Sequence, residues 1–351
     1  MNRHEALQWL ANESHQIPEG QRYKAHYFSP TDAPGIARLF YAVYGQGYPV
    51  DTYYIPECLI AEHKRKAIHS AVARTDSGDI VSHSALYRSS AHNPRLYELG
   101  AGLTLPTYRS SMAFFRTFQL AIDLLGTDGI DGLFGESVCN HTITQKLVLH
   151  AKSIETAVEP ALMPAKAYET EWQGLGRVGC IVSFRVAVDQ RKTMFVPASY
   201  QSHLAFLLEG TGLDRELVPA DPSIPSGEAS LTIQRFDDGG VVRGLITKPG
   251  ADLPSRLREV EDQAVTDNYA LLQFFIDLGQ SWAGGVVEQL RGQGYALGGL
   301  LPIWFGTDGL LLQKHLVDPG FADMKIHSDR GRSLVELVKA DWQRSQACAR
   351  S

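Results

Sequence analysis

Cysteine is scarce in this chain. Its four thiols, Cys58, Cys139, Cys180 and Cys348, lie far apart. No two of them form a CxxC pair, which excludes zinc knuckles and dithiol redox motifs. Long apolar runs are missing too, so no segment is long and apolar enough to span a bilayer. The opening residues, MNRHEALQWLANESHQ, are polar and charged and contain no apolar stretch of signal-peptide length. Sparse cysteine and the lack of a leader set the expectation of a cytoplasmic protein. Excess positive charge is also absent. The formal net charge of −6 gives phosphate backbones and anionic lipid no general attraction. Neither general nucleic-acid binding nor membrane binding is expected, and no metal site is expected either.

What is present is the material of a globular protein. Hydrophobic residues make up 44% and charged residues 21% of 351 positions, enough for two cores of ordinary size. Residues 5–15 read as a short leading helix. Residues 22–28 alternate as a first strand. In SPTDAPGIARLFYAVYG, Ile36, Leu39, Phe40, Val43 and Tyr44 recur at helical spacing, and Gly45 ends the run. Residues 70–76 and 80–88 form two strands around the turn Ser77-Gly78-Asp79. Residues 97–105 form an apolar strand that Pro106 stops. Residues 111–125 are helical, 130–137 a strand, 142–152 a helix and 154–162 a strand. The order is β-α-β-β-β-α-β-α-β, a mixed sheet covered by helices.

A linker start is expected at Gln173, and then a comparable order recurs. Residues 180–188 form a strand and 200–208 a helix. Residues 231–236 and 241–247 make a hairpin around Asp237-Asp238-Gly239-Gly240. A helix at 255–265, a strand at 269–277, a helix at 281–292, strands at 295–302 and 309–315, and a final helix at 333–344 complete it. The repeat is one of element order rather than residue identity. The fold class is thus mixed α/β, two tandem mixed sheets flanked by helices.

Three segments carry a family resemblance. They are the helix and loop IARLFYAVYGQGYPV, the strand-loop-helix ELGAGLTLPTYRSSMAFF, and the strand-helix-strand GLFGESVCNHTITQKLVLHAKSIET. Together, over residues 21–168, they resemble the GNAT superfamily of acyl-CoA-dependent N-acyltransferases. VVEQLRGQGYALGGLLPIWFG resembles the same strand-helix-strand in a second copy. The implied organisation is a leading helix at 1–20, an acyltransferase domain at 21–170, a linker and bridging strand at 171–195, and a degenerate copy with a C-terminal helix at 196–351.

The resemblance implies acetyl-CoA or another acyl-CoA as co-substrate. Its pantetheine would lie along the main chain of Leu103, Thr104 and Leu105. Its diphosphate would sit on the next helix N-terminus, where unpaired amides and the helix dipole favour an anion. Arg109, Ser110, Ser111 and Ala113 stand there, with Asn140 from the following strand-helix unit. The family's pattern is Gln or Arg, two residues, Gly, one residue, then Gly or Ala. Arg109 fits it, but Met112 and Phe114 occupy the glycine positions. The family's usual tyrosine acid falls on Val148; His150, His141 and Cys139 stand nearby.

Removing a proton from an ammonium acceptor needs a base. Glu136 and Glu98 are the carboxylates in range, and His141 is a third candidate in the catalytic set. Tyr44, Tyr48 and Tyr53 are candidates for the acceptor wall, although Tyr44 also lies on the apolar face of its helix. The expected reaction is transfer of an acyl group, acetyl first, to an amine of a small molecule. An acyl carrier protein as donor and a homodimer are further expectations. Two readings remain open beside it: a tRNA-dependent aminoacyl transferase, and a non-catalytic binding module of the same fold. No cofactor pattern occurs between Thr247 and Pro254, and Asp252 adds negative charge there, so the second copy is expected to be structural.

Overall fold

The structure, a computed structural model, describes residues 1–13, 15–164 and 176–348. It is mixed α/β and falls into two compact units, Met1–Leu133 and Phe134–Ser351.

The first unit opens with α1 (Arg3–Asn12), started by a capping box. The Asn2 side chain accepts from the Glu5 amide, and the Glu5 carboxylate accepts from the Asn2 amide. Four strands follow as an antiparallel sheet in chain order: β1 (Tyr23–Tyr27), β2 (Ile68–Thr75), β3 (Ile80–Tyr87) and β4 (Leu96–Thr104). On one face lie α2 (Ala33–Tyr44) and α3 (Pro56–Lys64). They bury Ile36, Leu39, Phe40 and Leu59 against Val72, Ile80, Ala85 and Leu103. Side chains alternate along a strand, so Ser82 and Ser84 of β3 face the opposite way from His83 and Ala85. Over those serines lies α4 (Ala113–Asp123). Its buried Thr117 hydroxyl sits 3.3 Å from Ser82 Oγ and 3.0 Å from Ser84 Oγ.

The second unit is built on β5 (Gly132–Val138), whose first two residues belong to the unit before it. There follow α5 (Ile143–His150), β6 (Ile154–Met163), β7 (Val178–Val186), β8 (Lys192–Val196), α6 (Gln201–Leu208) and β9 (Arg215–Pro219). Next come β10 (Ser230–Phe236), β11 (Val241–Lys248), α7 (Leu253–Thr266), β12 (Leu271–Asp277), α8 (Ala283–Gly292), β13 (Ala296–Leu301), β14 (Gly309–His315) and α9 (Asp329–Cys348). Its main sheet runs β5-β7-β6-β13-β14-β12-β11-β10, and β8 and β9 form a separate parallel pair.

That order is mirrored about the β6–β13 join. One side is β5-β7-β6 with α5 between β5 and β6; the other is β12-β14-β13 with α8 between β12 and β13. The likeness between the two strand-helix-strand segments of the sequence is therefore a likeness of topology. The join is narrow: Gly299 of β13 is paired with Ala157 of β6. Gly299 has φ +142°, and a Cβ there would lie 2.3 Å from the Thr156 carbonyl oxygen. Beside it the Thr156 hydroxyl donates to the Leu300 carbonyl over 2.8 Å.

The edge between the compact units is Leu133/Phe134, not the residue-170 boundary expected from the sequence. The cause is strand pairing. β6 pairs with β7 along most of its length and with β13 on its other edge. Arg330 of α9 also donates to the Glu155 carbonyl on β6. These contacts draw β6 and β7 into the second unit, and β5 is the neighbour of β7 in the sheet. The linker start expected at Gln173 lies outside the described residues.

Two predictions follow from the packing. Gly299→Ala forces a Cβ into backbone and should cost about 1–3 kcal/mol or more, read as a lowered urea midpoint. Burial also lowers the pKa of three histidines, His63 to about 3 and His83 and His315 to about 4. The unfolded chain, with imidazole pKa near ~6.5, binds protons that the folded chain does not. Stability should be fully present above pH ~6.5 and fall as the pH drops toward about 4. A urea midpoint unchanged between neutral pH and pH ~5 would contradict this.

Candidate functional site

The first unit carries a break in its pleat. Along β3 and β4, His83 stands opposite Leu103 and Ala85 opposite Gly100. One residue, Ser84, therefore faces two, Ala101 and Gly102, which is a β-bulge in β4. Ala101 has φ +47°, the left-handed region usual for the first residue of one bulge type. At Gly102 a Cβ would lie 2.8 Å from the Phe114 ring of α4, so any larger residue must displace that ring.

Glu98 lies on β4 just before the bulge. It is the register partner of Tyr87, whose hydroxyl donates to Glu98 Oε1. Tyr48 and Tyr53 lie within its electrostatic reach. Burial first, with the Glu98 charge contributing, raises the phenols of Tyr48, Tyr53 and Tyr87 and keeps all three neutral. Tyr53 stacks on Phe40 at 4.4 Å between centroids, and Tyr48 meets both edge-on. The buried Tyr53 hydroxyl has no hydrogen-bond partner among the described residues. Tyr44 differs from expectation. It is the last residue of α2 and is exposed, because the helix ends there beyond the sheet's cover; its ring still leans on Tyr48 at 5.1 Å.

The loop carrying these tyrosines is pinned from two directions. The Tyr54 hydroxyl accepts from the Tyr48 amide and donates to the Gly45 carbonyl. Arg3 of α1 donates to the Gln46 and Tyr48 carbonyls and pairs with Asp51.

The segment after β4 departs from the expected course. The Leu105 amide still donates to the Val81 carbonyl at 2.9 Å, so pairing with β3 outlasts the strand. Leu103 is buried in the core, and the Thr104 hydroxyl sits 2.8 Å from Ser82 Oγ, which leaves main chain alone for a ligand there. Residues Pro106–Tyr108 then form a 3-10 turn, and α4 begins at Ala113, two residues later than expected. The turn uses amides that were expected to face an anion. Arg109 N–H donates to the Pro106 carbonyl and Ser111 N–H to the Tyr108 carbonyl. Ser111 Oγ donates to that carbonyl and accepts from the Ala113 amide. Met112 is exposed and Phe114 folds back over Gly102, so neither side chain stops the helix end. The side chains of Arg109 and Ser110 are exposed beside it.

Glu136, Asn140 and His141 lie in the second unit. Glu136 of β5 is 3.6 Å from the Arg243 guanidinium, which also lies 3.5 Å from Glu159. Its carboxylate is thus a member of a structural ion-pair network and not a lone base. His141 Nδ1 accepts from the Ile143 amide and so caps α5. Asn140 is buried, and its Oδ1 has no partner among the described residues. Cys139 is inert as a nucleophile, since burial pushes its thiol up to about 12.

The second copy's helix starts are closed by the protein's own chain. The Ala251 amide before α7 donates to the Gly227 carbonyl, and Asp252 accepts from the Ala229 amide. At α8 the Gly285 amide donates to the Asp221 carbonyl. A Cβ on Gly284 or Gly285 would strike that segment within 2.5 Å, which accounts for the glycine pair. Sequence reasoning missed Tyr87 and His83 on β3. Their signal was available: strand alternation places 83, 85 and 87 on the face that Glu98 shares.

No protein-family model matches the chain, and no curated protein does. Solved structures do resemble it. A ribosomal-protein-S5-alanine acetyltransferase from Vibrio fischeri is 12% identical with a TM-score of 0.37, covering 51% of this chain and 98% of its own. An N-acetyltransferase from Staphylococcus aureus Mu50 is 11% identical with a TM-score of 0.38, covering 48% and 99%. A putative acetyltransferase from Salmonella typhimurium, solved with its cofactor acetyl-CoA, is 11% identical with a TM-score of 0.37, covering 48% and 96%. These matches name no substrate for this protein.

Proposed function

We propose that the chain transfers an acyl group, acetyl first, from a coenzyme A thioester to an amine of a small-molecule acceptor. The observation that carries this reading is the bulge at Ala101–Gly102, set in the same strand as Glu98. A bulge frees main-chain groups from the ladder, and a fixed amide beside a thioester carbonyl can stabilise the oxyanion that forms there.

Glu98 takes a proton from the acceptor ammonium directly or through one water. The freed nitrogen attacks the thioester carbon, and the carbon–sulfur bond of the tetrahedral adduct breaks to release coenzyme A as its thiolate. Tyr87 holds the Glu98 carboxylate in place. Tyr48 and Tyr53 give the acceptor an aromatic, hydroxyl-bearing wall, with Tyr44 at its rim, and such faces suit a cationic amine. Arg109 and Ser110 are the exposed side chains available to a diphosphate at the start of α4, with Ser111 and Ala113 shaping the turn. Much of the rate gain would come from holding both substrates together.

Two measurements test this. Calorimetry should detect acetyl-CoA binding to the wild-type chain, and absence of binding at about millimolar ligand would sink the transferase reading. Gly102→Ala, which displaces Phe114 at the bulge, should weaken that binding by about tenfold or more. In a thiol-release assay over a panel of amines, Glu98→Gln should lower kcat by about 10²–10⁴ with acetyl-CoA affinity unchanged. An undiminished kcat would remove Glu98 from the role of base.

A further inference from the structure

A file of hydrogen-bonded polar groups crosses the first unit beneath the acceptor tyrosines. His83 Nδ1 lies 2.7 Å from the Ala101 carbonyl oxygen in the bulge. His83 Nε2 lies 2.8 Å from Ser70 Oγ on β2. Ser70 Oγ lies 3.0 Å from Nε2 of His63 on α3, whose ring stacks on Phe28 at 3.7 Å. Four elements are joined by three hydrogen bonds, and His83 is wholly buried.

The protons in this file have one arrangement. A carbonyl oxygen only accepts, so His83 Nδ1 carries the proton and donates to Ala101. The neutral ring then offers Nε2 as an acceptor, and the Ser70 hydroxyl donates to it. Ser70 has one hydrogen, so its oxygen must accept from His63 Nε2–H. The carbonyl of the left-handed residue therefore sets the tautomer of both histidines. The groups facing His83 include Ser70 from β2, His63 along the file from α3, Phe40 from α2 and Tyr53 from the acceptor loop. None of these is an acid, and burial holds the His83 ring neutral.

We infer that His83 is a positioning residue, held by Ser70 and His63, that fixes the β4 bulge at the orientation acyl transfer requires. The extra residue of a bulge is left out of the pairing with the opposite strand, and its half-buried carbonyl needs another partner. His83 supplies that partner from beneath the strand, so the adjoining amides cannot rotate. Its catalytic consequence rests on the transferase reading; its structural content does not.

The experiment uses the whole chain as wild type, Ser70→Ala, His83→Gln and His83→Phe. Imidazole ¹⁵N spectra of the wild type should show His83 protonated at Nδ1 and unchanged between pH ~8 and pH ~5.5. Ser70→Ala should keep its fold yet speed Gly102 amide exchange by about tenfold. It should lower kcat by about tenfold while leaving KM for acetyl-CoA within about twofold. His83→Gln, which keeps an N–H donor, should recover part of the kcat that His83→Phe loses. A His83 protonated at Nε2, or Gly102 exchange unaltered in Ser70→Ala, would overturn the inference whatever the activity. If the wild type binds no acyl-CoA, the catalytic consequence is overturned, while the tautomer and exchange data still decide the structural claim.

Discussion

Two residues of β4 must share the space opposite one residue of β3, and one face of the first unit is arranged around that mismatch. A regular strand would give every amide and carbonyl a partner in the ladder. The insertion of Ala101 leaves main-chain groups to be satisfied by other means. One is met from below by the His83 ring. The residue after it is a glycine over which the Phe114 ring of α4 leans, so a side chain there would have to displace that ring. Upstream the strand keeps its register, so Glu98 meets Tyr87. Downstream Leu103 and Thr104 return to register and bind the strand to the core and to the hydroxyl cluster under α4. The irregular backbone is held by side chains from both faces of the sheet, as a site that must not relax requires.

The order of elements could be read in the residues because most of them announce themselves. The 3.6-residue spacing in α2, the tight turn at Ser77-Gly78-Asp79 and the stop at Pro106 each fixed an element to within a residue or two. The strand α3 leads into could be read, but α3 itself could not. PECLIAEHK buries little beyond Pro56 and Leu59, so its periodicity is faint. The β8–β9 pair was also missed, since it is short and its parallel partner lies beyond α6.

The site was legible in part. The positions of Glu98, Tyr48 and Tyr53 in the sequence place them on and beside β4, and Glu98 lies just before the bulge. Glu136 was chosen on the same logic, yet Arg243, more than 100 residues along the chain, holds it in an ion pair. No local pattern reveals a partner at that distance. The amides after Leu105 were expected to be bare. Pro106 and the serine at 111 instead turn the chain on itself, and that outcome depends on where the helix begins, the least legible feature of a sequence. The bulge was invisible because the extra residue is an alanine, which carries no mark of positive φ.

The stretch from Ala220 to Ala229 is laid across two helix starts of the second unit. Its Gly227 carbonyl accepts from Ala251 just before α7, its Asp221 carbonyl accepts from Gly285 in α8, and its Ala229 amide donates to Asp252. A ligand seeking those helix starts would first have to displace the chain's own backbone.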